Sequence, residues 1–284
     1  MAAALENDAA PPLVGVDFSS RPTVRKPITV AHGHRCGDEL RLSHIDEHVS
    51  LAGFGRWLAM PGHWLGAFDF PFGLPRELVE TLGWPTQWLA LMQHYTGLSR
   101  AQVRDTFAAF CAARPVGYKF AHRACDGPAR SSPSMKWVNP PVAYMLHAGV
   151  PLLIAARVHM PGLCEGDPER VALEGYPGLL ARELLGARSY KSDDKARQDA
   201  QRRAARTALL DALQTGGTRL HLRLCLTDAQ REQLIGDAAG DRIDAVLCLM
   251  QAGWASVQPR HGLPQRVDPL EGWIATAPHL GSDL

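Results

Sequence analysis

The sequence predicts an α/β protein in which a mixed sheet is flanked by helices. Short apolar runs alternate with stretches of helical periodicity, which is the pattern of an α/β chain. The 284 residues are 46% hydrophobic and 21% charged, as in an ordinary globular protein. The sequence shows no internal repeat and no clean linker, so we expect one domain over residues 13–275. Residues 1–12 and 276–284 are expected to be flexible tails.

Four short apolar runs in the first part of the chain predict strands. Residues 13–16, 28–31 and 40–45 are dominated by apolar side chains and separated by turn-forming residues. Between residues 46 and 60 the apolar side chains recur at helical spacing, and a Pro-Gly pair then ends the predicted helix. Residues 64–68 form the fourth predicted strand.

The remainder of the chain is predicted to contain more helix than strand. Residues 76–113 have helical spacing, whereas residues 114–141 are irregular and rich in Gly, Pro, Ser and Arg. An apolar run over residues 152–158 and another over residues 170–173 predict two further strands. Helices are predicted over residues 142–148, 179–185, 188–213 and 241–254.

Five carboxylates stand at positions where a sheet could bring them together. Asp17, Asp69 and Glu174 each follow a predicted strand, and ligands of open α/β sheets bind at the carboxyl ends of strands. Asp241 and Asp244 lie three residues apart in the first turn of the last helix, on one face. Clustered buried carboxylates repel one another unless protons or cations neutralise them. Oxygen ligands suit Mg²⁺ or Mn²⁺, and two such ions can clamp both oxygens of a phosphodiester.

Each of these carboxylates also has a structural explanation. An aspartate after a strand commonly forms a turn. Asp241 and Asp244 at a helix N-terminus can act as a cap and complement the helix dipole. As a set, the five positions favour a functional site over five separate structural roles.

The order of elements resembles the ribonuclease H-like fold, with acids after the first and fourth strands and on the last helix. Asp17 with its strand is similar to the first strand and catalytic aspartate of that fold, and Asp241 with Asp244 resembles the paired aspartates of RuvC-type resolvases. Several segments together resemble the family called domain of unknown function 429, described as predicted nucleases of this fold. These segments are residues 15–20, 69–75, 132–140, 174–177 and 244–245.

The resemblance, which spans about residues 13–274, implies a metal-dependent nuclease. Asp17 would bridge two Mg²⁺ or Mn²⁺ ions, and Asp69, Glu174 and Asp244 would complete their ligands, with Asp241 in support. Glu174 follows a later strand than the glutamate of RuvC-type resolvases, so Asp69 is the alternative second ligand. Residues 76–150 have no counterpart in minimal ribonuclease H domains and are expected to form an inserted, mostly helical cap.

Two basic segments predict contacts with nucleic acid. Residues 188–206 hold seven basic and three acidic residues, and residues 114–136 hold five and one, a local charge of +4 each. The whole chain carries only +1, so these segments stand out. Lys191, with Arg123 or Arg188, is expected to neutralise phosphate charge, and Lys119 belongs to the same predicted surface. The alternative is a solvated helix face and a charged loop.

Three other functions are alternatives to the nuclease. The principal alternative is a nucleic-acid or protein-binding module without catalysis. An actin-like phosphotransferase would need a second glycine-rich phosphate loop, which the sequence does not show. Residues 44–48 fit the H-x-x-E-H pattern of a zinc peptidase, with His44 at a strand end and His48 on the next helix. These two side chains would not share a face, so we do not expect them to bind zinc together.

The sequence also predicts a cytoplasmic protein with no membrane contact. No apolar run approaches the roughly 20 residues of a membrane-spanning helix. The N-terminus lacks a signal-peptide pattern, and no two of the six cysteines form a C-x-x-C pair. The oligomeric state is not predicted.

Overall fold

The computed structural model describes residues 11–279. Its strands are β1 (Leu13–Asp17), β2 (Ile28–Cys36), β3 (Glu39–His48), β4 (Trp64–Asp69), β5 (Val158–His159), β6 (Asp167–Glu174) and β7 (Arg223–Cys225). Its helices are α1 (Leu51–Ala59), α2 (Arg76–Thr81), α3 (Trp88–Gly97), α4 (Arg100–Ala112), α5 (Asp126–Ala129), α6 (Val142–Ala155), α7 (Pro177–Leu185), α8 (Ala200–Gln214), α9 (Asp228–Gly236) and α10 (Asp241–Ala255).

Within residues 11–279 the strands form one seven-stranded mixed sheet, in the order β5-β6-β4-β1-β2-β3-β7. Strand β2 pairs antiparallel with both β1 and β3, and β4 runs parallel to β1. Strands β6 and β5 continue the parallel half, and β7 pairs parallel with β3 at the other edge. The prediction of an α/β protein with a mixed sheet flanked by helices is confirmed.

Helices cover both faces of the sheet. All five residues of β1 are buried, as expected of a central strand packed on two sides. On one face, Val14 and Val16 pack in a hydrophobic cluster with Phe54 of α1, Phe107 of α4 and Leu146 of α6. On the other face, β1 and β4 pack with α7, α8 and α10. Residues 76–150 are mostly helical, and they form a layer against the sheet.

The second half of the predicted helix over residues 46–60 is correct, but its start is wrong. Strand β3 continues to His48 because its pairing with β2 extends to the Ile28–His48 pair. Helix α1 begins only after Ser50, whose hydroxyl accepts a hydrogen bond from the Gly53 amide. His48 therefore lies on the same strand as His44, about 13 Å further along it. The helical turn that H-x-x-E-H chelation requires is not formed.

The strand predicted over residues 152–158 is also wrong, because helix α6 continues through Pro151 to Ala155. Buried Leu146, Val150 and Leu153 recur at helical spacing, and their packing outweighs the one hydrogen bond that the proline removes. Only the two-residue strand β5 follows.

The helix predicted over residues 188–213 is correct only in its second half. Helix α8 begins at Ala200, where the Asp199 side chain accepts from the Arg202 amide. Residues before it form an irregular segment that crosses the site described below. Strand β7 and helix α9 were not predicted.

The ends of the chain fall partly outside the described residues, which exclude residues 1–10 and 280–284. Thr276 and Ala277 are buried, so the packed structure extends past the predicted boundary at residue 275. Among the described helices, none combines the length and the apolar character needed to cross a membrane.

Candidate metal centre

Three of the five predicted carboxylates meet at the carboxyl end of the central strands. Asp17 ends β1 and Asp69 ends β4, and the parallel register pairs these two residues directly. Asp244 reaches the same point from the first turn of α10. One carboxylate oxygen from each residue lies within 4.8 Å of the others. This arrangement of hard oxygen donors fits a divalent cation such as Mg²⁺ or Mn²⁺.

Two glycines allow α10 to bring Asp244 to this position. A Cβ atom on Gly15 would lie 2.1 Å from both the Ala245 carbonyl oxygen and the Leu249 amide nitrogen, so only glycine permits this approach of helix to strand. Gly240 precedes the helix with φ of +83°, and a Cβ there would lie 2.6 Å from that of Lys191. Larger residues at either position would move the helix or the lysine.

Two carboxylates of the centre, Asp17 and Asp69, hold protons more tightly than ordinary aspartates. Burial raises the pKa of Asp17 well above its usual range, and the charges of Asp244 and Asp241 raise it further. Burial and then Asp244 raise the pKa of Asp69 to about 7. Because both shifts disfavour the charged form, the centre requires either protons or cations near neutral pH.

A lysine and a tyrosine contact the most deeply buried of the three acids. The ammonium of Lys191 and the hydroxyl of Tyr190 both donate to the Asp244 carboxylate. Desolvation opposes the charge of Lys191, but Asp244 and nearby Asp17 outweigh it and raise the pKa of the lysine. Lys191 thus lies at the centre, and its predicted contact with phosphate stays a prediction. The sequence analysis did not identify Tyr190 as a site residue. Its position in a basic segment gives no sign that its side chain is buried against Asp244.

Asp241 lies beside the cluster rather than in it. Its carboxylate accepts from Lys26 at 3.3 Å, a partner that the sequence did not indicate. Burial raises the pKa of Asp241, and Lys26 opposes this shift. Asp241 contributes negative charge next to Asp17, and the supporting role predicted for it stays a prediction.

Glu174 belongs to a buried ion cluster instead of the metal centre. Both of its carboxylate oxygens accept from the Arg123 guanidinium at 2.7 Å, and one also accepts from the Phe72 amide. Arg123 donates in addition to Asp126 and to the Glu271 carbonyl. Of the two alternatives that the sequence left open, Asp69 therefore lies in the three-carboxylate group.

The same contacts remove Arg123 from the predicted phosphate-binding set. Its side chain is about 2% exposed, and its guanidinium is already hydrogen-bonded to two carboxylates. From the sequence, Arg123 is predicted to contact phosphate because the segment around it, residues 114–136, is basic. The structure assigns it a structural role, since a buried arginine between two acids neutralises them.

A cleft of about 360 Å³ begins at Asp69 and is lined by basic side chains, namely Arg182, Arg188 and Lys191. Arg188 is exposed there, and its predicted contact with phosphate stays a prediction. Lys119 is exposed on the loop after α4 and does not line this cleft. A second cleft of about 450 Å³ is lined by Asp241 together with Arg25 and Arg242. Glu47 and Asp237 also line the second cleft, so of these two clefts only the one at Asp69 has more basic than acidic side chains.

Comparison with known proteins yields no match. No protein-family model matches the chain, and no curated protein or solved structure does so either. The resemblance to domain of unknown function 429 stays a prediction.

The raised pKa of Asp69 predicts that metal binding depends on pH. A group whose pKa is raised in the folded state loses stabilisation as pH increases through that pKa, and a cation must displace its proton. With a pKa of about 7 at Asp69, the affinity for Mn²⁺ should increase about tenfold between about pH 6 and about pH 8. Titration calorimetry at both pH values measures this change. Asp69→Asn should reduce the pH dependence to the part that comes from Asp17, whose pKa is also raised, and an equal dependence in that variant would contradict the explanation.

Proposed function

We propose that the protein is a divalent-cation-dependent phosphodiesterase that cleaves nucleic acid. The observation that carries this proposal is the convergence of Asp17, Asp69 and Asp244 at the carboxyl end of two central strands, with ligand atoms within 4.8 Å. Mg²⁺ or Mn²⁺ bound there would supply Lewis-acid activation of water and neutralise charge on the scissile phosphate.

The sheet order is consistent with the proposed ribonuclease H-like fold. An antiparallel β1–β2–β3 unit is followed by β4 and β6 parallel to β1, giving the order β3-β2-β1-β4-β6 at the middle of the sheet. Fold alone carries no activity, so the functional argument rests on the site.

In the proposed reaction, the three aspartates hold the cation and Lys191 changes partner. Lys191 would leave Asp244 when a cation arrives, because the cation and the ammonium compete for the same carboxylate. The freed ammonium would then contact a phosphate oxygen of the substrate. Tyr190 would keep Asp244 oriented through its hydroxyl.

The surroundings of the centre favour a polyanionic substrate. Arg182 and Arg188 line the cleft beside Asp69, and Arg25 and Arg242 line the cleft beside Asp241. A nucleic-acid strand in the cleft beside Asp69 would contact Arg182 and Arg188, and such phosphate contacts position a backbone without reading its sequence.

The direct test is cleavage of labelled single-stranded, double-stranded, hybrid and junction substrates of DNA and RNA with Mn²⁺. We expect one or more of them to be cleaved, with activity lost on chelation of the metal. Absence of cleavage of all substrates by folded, metal-loaded protein would exclude the nuclease.

The Lys191–Asp244 contact also favours a second candidate, a binding module without catalysis. An internal ammonium can satisfy the acids permanently, as in a structural ion cluster. In that case Mn²⁺ would not raise the unfolding temperature, whereas a ligand that binds the folded state does so. Salt-sensitive oligonucleotide binding without a Mn²⁺ effect would support this alternative.

Replacing Lys191 with methionine separates its two proposed roles. Removal of the competing ammonium should raise the affinity for Mn²⁺ by on the order of tenfold. Cleavage should decrease because the phosphate contact is lost. Calorimetry and a cleavage assay measure the two effects, and Lys195→Met, at an exposed lysine of the same segment, is the control. Unchanged Mn²⁺ affinity in Lys191→Met would refute the competition.

A further inference from the structure

A second group of metal-ligating side chains lies on the β2–β3 hairpin, and the carboxylate centre does not involve it. His32 of β2 is the direct cross-strand partner of His44 of β3. Asp46 lies two residues after His44 and so projects from the same face of the strand. One ligand atom from each of the three residues lies within 4.8 Å of the others.

The distances match those of a small four-coordinate ion. Asp46 Oδ2 lies 3.2 Å from His32 Nε2 and 3.6 Å from His44 Nε2. In tetrahedral zinc sites the metal–ligand distances are about 2.0–2.2 Å, which puts neighbouring ligand atoms about 3.3 Å apart. The carboxylate oxygen is therefore spaced from both nitrogens as it would be around one ion.

The hydrogen bonding at this group is incomplete. His32 Nε2 is buried and lies 3.2 Å from Asp46 Oδ2, but without good hydrogen-bond geometry. His48 Nε2, on the same strand face, is also buried without a hydrogen-bond partner. Buried ring nitrogens usually have a good hydrogen-bond partner, so the incomplete hydrogen bonding of these two nitrogens points to a missing ligand.

The two imidazoles can be aimed at one ion with a small rotation. Their rings are stacked, with centroids 4.3 Å apart and planes 6° from parallel. The terminal torsion of histidine is broad, so tilting both rings requires little strain.

We propose that His32, His44 and Asp46 form a binding site for a transition-metal ion, with Zn²⁺ as the ion that suits them. Two imidazoles and one carboxylate favour zinc over Mg²⁺, whereas the carboxylate centre has only oxygen donors. His44 and Asp46 also line a surface cleft of about 490 Å³, which gives an ion access from solvent. The protein would therefore carry two metal sites of different selectivity.

The test is Zn²⁺ binding to the full chain after treatment with a chelator and its removal. We expect one equivalent of Zn²⁺ to bind at the hairpin, and His44→Asn and Asp46→Asn to weaken its binding at least about tenfold. The side chains of both residues are about half exposed, at 59% and 48%, so the variants should fold. Their unfolding midpoints in chelator check this.

Two controls separate the hairpin from other sites. His34→Asn, at an exposed histidine on strand β2 two residues after His32, and Asp17→Asn should both leave the zinc affinity of the hairpin unchanged. The visible spectrum of bound Co²⁺ gives a second readout, since His44→Asn should change its intensity. The proposal is overturned if wild-type protein binds no Zn²⁺, if His44→Asn and Asp46→Asn bind it unchanged, or if only Asp17→Asn loses it. This result does not depend on nuclease activity.

Discussion

Replacing Asp17 with asparagine is expected to lower Mn²⁺-dependent cleavage by on the order of 1,000-fold. Asp17 lies between Asp69 and the α10 carboxylates, where its charge is required to hold the cation. Without the bound cation, several kcal/mol of transition-state stabilisation are lost. A loss of about 4 kcal/mol corresponds to a decrease of about 1,000-fold in rate. Single-turnover cleavage at saturating Mn²⁺ measures the effect.

The same substitution should not destabilise the metal-free protein. Burial, Asp244 and Asp241 all raise the pKa of Asp17, so its charged form is unfavourable without a cation. An uncharged amide relieves that repulsion, and the unfolding temperature in chelator should be unchanged or higher. Asp105→Asn, at an exposed position on α4, is the matched control and should retain full cleavage. Cleavage that survives in Asp17→Asn would refute the assignment of the centre.

Replacing Arg123 with methionine is expected to cost about 3–5 kcal/mol of unfolding free energy. The guanidinium neutralises Glu174 and Asp126, whose side chains are 4% and 0% exposed. Without it, both carboxylates are left in a buried site with no cation. Urea unfolding monitored by circular dichroism measures the loss, and Arg104→Met, at an exposed surface pair, should leave the stability nearly unchanged because solvent screens that pair.

The stability deficit of Arg123→Met should decrease as the pH is lowered. Burial raises the pKa of Glu174 even with Arg123 present, and removing the arginine raises it further. A raised pKa in the folded state means that protonation, complete only at low pH, restores stability. Adding Glu174→Met should recover part of the loss, with a coupling of at least about 1 kcal/mol. Additive effects of the two substitutions would contradict the ion cluster.

Local patterns of apolar and turn-forming residues were sufficient to predict most strands of the sheet. Strands β1 and β4 are short apolar runs bounded by turn residues, and they were predicted nearly to their ends. Helix α9 was missed although Thr227 and Gln230 form a capping box, a recognisable start signal. Helix α6 was misread because a β-branched, apolar run around Pro151 has no feature that separates a buried helix from a buried strand.

The residues of the candidate site likewise include some that local sequence patterns indicate and others that they do not. Asp17, Asp69 and Asp244 could be chosen from the sequence because strand ends and the first turn of a helix are positions where side chains converge. The roles of Glu174 and Arg123 could not, since their pairing joins residues 51 positions apart. His44 was grouped with His48 along the chain, whereas its cross-strand neighbour is His32, 12 positions earlier.

The sequence by itself determined the α/β class, the central strands and the acids that end them, because apolar periodicity and turn chemistry act over a few residues. Only the tertiary structure decided which charges meet. Gly15 lets α10 approach β1 closely enough for Asp244 to join the carboxylate cluster. Arg123 binds Glu174 in a separate ion pair. Electrostatic energies in a low-dielectric interior depend on distances of a few ångströms, and those distances are set by packing between segments remote in sequence.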